Sequence, residues 1–95
     1  MSIRVRIPTP LRPATGGRGE LQVEATDVGG VLERLWLDHA PLRDRICDEQ
    51  GNLRSFVRLF VNDEDVRFLQ DLRTPLSAGD IVAIVPAIAG GAPAM

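Results

Sequence analysis

The sequence predicts an α+β fold in which one main helix packs on one face of a mixed sheet of four to five strands. Three observations carry that expectation. Ile3-Arg4-Val5-Arg6-Ile7 alternates strictly between apolar and charged residues, the period of a half-buried strand. Val28, Val31, Leu32, Leu35 and His39 recur at spacings of three and four, which is one face of a helix. Ile81-Val82-Ala83-Ile84-Val85 is apolar without alternation, as in a central strand covered on both faces for part of its length.

Taken in order, the first strand points Ile3, Val5 and Ile7 inward and is stopped by Pro8, Pro10 and Pro13, which cannot donate to a ladder. Thr15-Gly16-Gly17-Arg18-Gly19 supplies a permissive backbone for a turn. Leu21, Val23 and Ala25 then alternate with Gln22 and Glu24, so the first two strands read as a hairpin with a long loop. Thr26 or Asp27 is the expected helix N-cap. Trp36 falls at the margin of the apolar face, Glu33, Arg34 and Asp38 point outward, and Pro41 ends the element. Residues 42–54 are polar and punctuated, with Gly51-Asn52 as the clearest turn and room for one helical turn around residues 42–46.

Phe56-Val57-Arg58-Leu59-Phe60-Val61 is the strongest strand signal in the chain. Val57, Leu59 and Val61 share one face; Phe56, Arg58 and Phe60 share the other. Asn62-Asp63-Glu64-Asp65 reads as a turn and Val66-Arg67-Phe68 as a brief edge strand. Ser77-Ala78-Gly79-Asp80 turns the chain into the last strand, which lies parallel to and beside the first. Strand, strand, helix, strand, short strand, strand is the order of a β-grasp, the ubiquitin-like architecture. The division expected is a β-grasp domain over residues 1–86, a flexible diglycine tail over 87–91, and a removable extension over 92–95.

Composition narrows the function. Ninety-five residues make one domain. Thirteen acidic side chains stand against eleven basic ones, all of them arginine, so the surface lacks the excess positive charge a nucleic-acid binder needs. No apolar run approaches the length of a membrane span and the first residues form no signal-peptide pattern, so a soluble cytoplasmic domain, monomeric when free, is expected. The single cysteine, Cys47, excludes an internal disulfide and a cysteine-based zinc cage.

Groups for conventional catalysis are scarce. His39 is the only histidine and belongs with the buried helical face as a structural residue. Cys47 has no partner to activate it. Ser2, Ser55 and Ser77 sit in no nucleophile elbow. Thr15-Gly16-Gly17-Arg18-Gly19 lacks the lysine and following helix of a phosphate loop. Asp63-Glu64-Asp65 is explained by turn chemistry and solvation, and Gly29-Gly30 by close packing of the helix on the sheet. No catalytic residue and no metal site are expected. Val85-Pro86-Ala87-Ile88-Ala89-Gly90-Gly91 is different: it leaves a buried strand as an arm with little side-chain bulk. Extended, residues 86–91 reach about 20 Å, enough to thread a narrow channel and present an end inside another protein.

The sequence resembles the MoaD/ThiS family of ubiquitin-like sulfur carriers. The likeness rests on Ile7-Pro8-Thr9-Pro10-Leu11-Arg12-Pro13 with Thr15-Gly16-Gly17, on Phe56, and on Val61-Asn62-Asp63-Glu64-Asp65-Val66-Arg67-Phe68. Ala78-Gly79-Asp80 and residues 85–91 complete it, so it covers nearly the whole chain. Within the family the first loop and the Asn-Asp-Glu-Asp turn look closest to the carrier of cysteine biosynthesis. The small subunit of molybdopterin synthase is the more distant alternative. The resemblance implies that this chain is not an enzyme and binds no cofactor. An E1-like adenylyltransferase of the MoeB/ThiF type would activate the carboxylate of Gly91 with ATP and Mg²⁺. The resulting thiocarboxylate would pass sulfur to a partner synthase, with Ala89, Gly90 and Gly91 threading into the partner.

Ala92 departs from that pattern, because its peptide bond ties up the Gly91 carboxyl. Cleavage between Gly91 and Ala92, by a JAMM-type metallopeptidase, is the expected remedy. Strand parity puts the partner surface on the sheet face away from the helix, with Phe56, Arg58 and Phe60, and with Phe60 beside Val85 next to the tail. Asp63, Glu64 and Asp65 would add steering toward a basic partner. Two other classes share the fold: a ubiquitin-like protein modifier, and an inert interaction module. The absence of lysine leaves no side-chain acceptor for lysine-linked chains of this protein on itself.

Overall fold

A computed structural model describes residues 2–55 and 57–86. Five strands form one sheet in the order β2-β1-β5-β3-β4. β1 is Ser2–Arg6, β2 Glu20–Glu24, β3 Val57–Val61, β4 Glu64–Asp65 and β5 Ile81–Pro86. β5 runs parallel to β1, pairing Arg4 with Ile81 and Arg6 with Ala83. It runs antiparallel to β3, pairing Arg58 with Val85 and Phe60 with Ala83. The expected mixed sheet and its parallel first and last strands are therefore present.

Alternation makes this sheet one-sided. Ile3, Val5, Leu21, Val23, Leu59, Val82 and Ile84 are buried on the face under the helix. The α1 helix, Val28–Asp38, closes that face with Val28, Val31, Leu32 and Leu35. Of the two candidate caps it is Asp27 that serves, its Oδ1 accepting from the Gly30 backbone N–H at 2.7 Å. At about 1.5 Å per residue α1 is about 16 Å long, enough to cover one face and no more. A second helix, α2 (Ala40–Ile46), seals the end of the core with Leu42 and Ile46. Pro41 does stop α1, yet it sits in the first turn of α2, where its missing N–H costs nothing.

Several expectations need correction. Val66–Phe68 is a 3-10 helix and not an edge strand; the edge strand is Glu64–Asp65, because the Asn62-Asp63 turn reverses the chain two residues earlier. Both turn residues take positive φ, 50° and 73°, which Asn and Asp tolerate best among residues with a Cβ. β5 is central but covered on one face: Val82 and Ile84 are buried, whereas Ile81 and Ala83 are half-buried and Val85 is 44% exposed. Gly29 does not face the sheet. A Cβ there would meet the Leu72 carbonyl oxygen at 3.2 Å, so the glycine admits the segment that carries Leu72. His39 is half-exposed at the C-terminal end of α1, not part of its buried stripe.

Candidate functional site

The open face of the sheet collects the residues that strand parity singled out. β5 runs a short apolar stripe of Ile81, Ala83 and Val85 down its middle. Phe60 lies directly opposite Ala83 and half-buried, and Arg58 lies opposite Val85. Phe60 and Val85 are thus diagonal neighbours on one face and not a direct pair, a separation of roughly 7–8 Å between backbones. Arg4 and Arg6 flank the stripe from β1, and both are exposed. Beyond them Gln22 and Glu20 stand opposite Arg4 and Arg6 on β2. The face therefore has an apolar centre with arginines on both sides, and β5 as described ends at Pro86.

The sequence-predicted tail residues Ala89, Gly90, Gly91 and Ala92, and Phe56 of the partner surface, lie outside the described residues. The root of the tail is described. Because β1 and β5 are parallel, the end of β5 sits beside Arg6, Ile7 and Pro8, at the mouth of an open cleft of about 460 Å³. Arg12, Gly19, Glu20 and Ile84 complete its lining. A second cleft, of about 350 Å³, lies on the other side of β3 near Arg58, Asp65, Arg67 and Leu72.

Asp65 cannot steer partners as expected of it. Asp65 is 6% exposed, and its carboxylate accepts from the Arg67 backbone N–H at 2.9 Å and from the Arg67 Nη2 at 3.1 Å. Arg58 Nη1 approaches to 3.9 Å. The Arg67 backbone and guanidinium hydrogen bonds hold the Asp65 carboxyl below the ordinary carboxylate range. A carboxylate already paired with the exposed Arg67 guanidinium presents little net charge to a partner. Asp65 is a structural cap for the 3-10 helix that follows.

Two of the sequence motifs turn out to brace one another. Asn62 Nδ2 donates to Asp80 Oδ1 at 3.1 Å, while the Ile81 backbone N–H donates to Asn62 Oδ1 at 3.0 Å. Asp80 Oδ2 in turn accepts from the Ser77 backbone N–H at 2.8 Å. The Asn62 turn and the Ala78-Gly79-Asp80 turn together fix where β5 begins, and hence where it ends. In the first loop the buried Thr15 hydroxyl lies 3.0 Å from the Arg12 carbonyl and 2.8 Å from that of Arg18. Gly16 and Gly17 take φ of 71° and 88°. The Thr-Gly-Gly motif is loop architecture.

Cys47 is buried, and burial pushes its thiol above the ordinary value, away from nucleophilic reactivity. Among the described residues no cluster of His, Cys, Asp or Glu could hold a metal ion, and no helix is long and apolar enough to cross a membrane. Sequence reasoning overlooked two exposed apolar side chains, Phe68 at 78% and Leu37 at 77%. Leu37 was legible, since it falls off the apolar stripe of its helix. Phe68 was hidden by the expectation of a strand.

The family model of the ThiS family matches residues 5–91. The sulfur carrier protein CysO of Mycobacterium tuberculosis is 42% identical over 93 residues, covering 96% of this chain and 100% of that protein. Among solved structures, the BexX/CysO complex of Amycolatopsis orientalis contains a chain 37% identical to this one, with a TM-score of 0.83 over 94% of this chain and 99% of that one. SAMP1 from Haloferax volcanii, 26% identical, superposes with a TM-score of 0.82 over 96% of this chain and 100% of its own.

Proposed function

The chain belongs to the ThiS family, and from that premise we propose that it carries sulfur as a thiocarboxylate on Gly91 for a biosynthetic synthase of the cysteine type. The observation that carries the reading is the family match itself, which ends at Gly91 and leaves residues 92–95 outside it. The likeness to CysO over the full length of that protein supports the cysteine type over the molybdopterin-synthase subunit.

The chemistry follows from what a carboxylate lacks. It is a poor electrophile, so the activating enzyme joins a Gly91 carboxylate oxygen to the α-phosphorus of ATP, releasing pyrophosphate. A sulfur nucleophile at the oxidation level of sulfide then attacks the carbonyl carbon and AMP leaves with the bonding electrons. The product is a thiocarboxylate whose sulfur is nucleophilic yet attached to a macromolecule that selects its recipients. ATP and Mg²⁺ belong to the activating enzyme. This chain contributes the reacting terminus, a narrow tail built from Ala89, Gly90 and Gly91, and a docking face of Phe60, Val85 and Arg58 at the tail's root, with Phe56 as its further member.

Residues 92–95 must first be removed, because Gly91 in a peptide bond to Ala92 has no free carboxylate to adenylate. A JAMM-type zinc metallopeptidase cutting between Gly91 and Ala92 meets that need. The test compares the full-length chain with an Ala92→stop variant, each incubated with an activating enzyme, ATP, Mg²⁺ and sulfide. Thiocarboxylate on the truncated chain alone supports the reading, and equal yield without a peptidase sinks it. Phe60→Ala should weaken binding to the activating enzyme while leaving the free chain folded. A second reading, a ubiquitin-like protein modifier, is favoured by the likeness to SAMP1. It uses the same activated glycine but ends in an amide to a lysine of another protein, and it predicts conjugates of higher mass.

A further inference from the structure

The cleft at the end of β1 contains a guanidinium held in place without a charge partner. Arg12 Nε donates to the Ile7 carbonyl at 3.1 Å, which fixes the plane of the group. Gly19 lies beneath it: a Cβ on Gly19 would come within 2.8 Å of Arg12 Cζ, Nε and Nη2, so the guanidinium sits flat against a bare backbone. Four N–H bonds on the two Nη atoms remain, and among the described residues no acceptor meets them. Arg6 lines the same cleft and likewise makes no ion pair within the described residues, although Glu20 is opposite it in the ladder. Three charged side chains, two cationic and one anionic, thus surround an open space of about 460 Å³ whose floor is Ile7, Pro8 and Ile84.

We propose that this cleft is a carboxylate-binding site that receives an aspartate or glutamate side chain from a partner protein. A fixed, half-exposed guanidinium fork matches the two oxygens of a carboxylate in a bidentate pair. The net single positive charge of Arg6, Arg12 and Glu20 balances a monoanion, whereas a phosphate dianion would sit uncompensated against Glu20. The cleft is continuous with the apolar stripe, since Arg6 stands opposite Ala83 and Ala83 opposite Phe60. That continuity makes a protein surface the source of the carboxylate, and this clause alone rests on the docking face assigned above. The partner then meets the carrier with an apolar centre and an acidic residue near the point where the tail enters.

The site can be tested on the full free chain, without any partner. A ¹⁵N-labelled sample is titrated with sodium acetate, and separately with sodium phosphate, at ionic strength held constant with chloride. Acetate should shift the Arg12 Nε–H and Gly19 amide signals saturably. Arg12→Gln and Arg6→Gln should each weaken acetate by about tenfold or more, and Arg18→Gln should leave it unchanged. No saturation, equal shifts at every exposed arginine, or tighter binding of phosphate at the same residues would each overturn the proposal. None of these outcomes depends on whether Gly91 carries sulfur.

Discussion

Adding one methyl group at Gly19 should report on whether Arg12 is held against it. A Cβ only 2.8 Å from the guanidinium is too close to survive, and the neighbour is the far end of a flexible side chain, so Arg12 moves and the strand stays. What is lost is the Arg12 Nε bond to the Ile7 carbonyl at 3.1 Å, worth about 0.5–1.5 kcal/mol net. What is gained is a stiffer unfolded chain, about 0.4–1 kcal/mol, since Gly19 has no positive φ for an alanine to resist. The two effects nearly cancel, and Gly19→Ala alone should change stability by less than about 1 kcal/mol. In an Arg12→Ala background only the gain remains. Gly19→Ala should there stabilise by about 0.4–1 kcal/mol, giving a coupling of about 1 kcal/mol between the two positions. Urea unfolding measures this as a midpoint shift of roughly 0.5–1 M between the two backgrounds. If Gly19→Ala has the same effect with and without Arg12, the guanidinium does not rest on Gly19 and the preorganised cleft is wrong.

Three further outcomes follow from the packing. Leu35→Ala empties a fully buried position under the sheet and should cost about 2–5 kcal/mol, read as a large fall in the thermal midpoint. Asp27→Ala removes the carboxylate that accepts from Gly30 N–H and should cost about 0.5–2 kcal/mol in chemical unfolding, with the helix boundary frayed in hydrogen exchange. Asp65→Asn bears on pH. The folded-state pKa of Asp65 is depressed, so its contribution is present above the ordinary carboxylate range and is lost as pH falls through the depressed value. The variant should be less stable than the parent at neutral pH, and the gap should close as pH drops below the ordinary value of 3.8. A gap that stays constant with pH would contradict the ion pair.

How much was legible in the sequence depended on whether a residue's role was periodic. Ile3, Val5 and Ile7, Val57, Leu59 and Val61, and Val28, Val31, Leu32 and Leu35 are all buried as their spacing requires, and so the sheet, its covered face and its helix could be read directly. The open face with Arg58 and Phe60 followed from the same parity. What periodicity could not reach were specific side-chain contacts, some local and some distant in sequence. Val66-Arg67-Phe68 looks like a strand by composition, but the Asp65 cap bends it into a 3-10 helix. The acidic run 63–65 has the composition of a steering patch, yet Arg67 folds back on Asp65 and takes that one carboxylate out of it, leaving Asp63 and Glu64 exposed. Gly29 was expected against the sheet because nothing in the sequence brings Leu72 near it. The Arg12 cleft was invisible for the same reason, since Gly19, Ile7 and Ile84 meet there only after the parallel β1–β5 pairing forms.

The lack of lysine takes on meaning in this setting. A modifier that builds lysine-linked chains on itself needs a lysine acceptor, and this sequence has none. Sulfur transfer needs only the terminal glycine. The most direct measurement of sulfur carriage is the intact mass of the protein isolated from its own host under non-reducing, thiol-free conditions. A sulfur carrier should appear as a chain ending at Gly91 with one oxygen replaced by sulfur. A chain still carrying residues 92–95 with no sulfur added, or Gly91 found only in amide linkage to other proteins, would contradict that role.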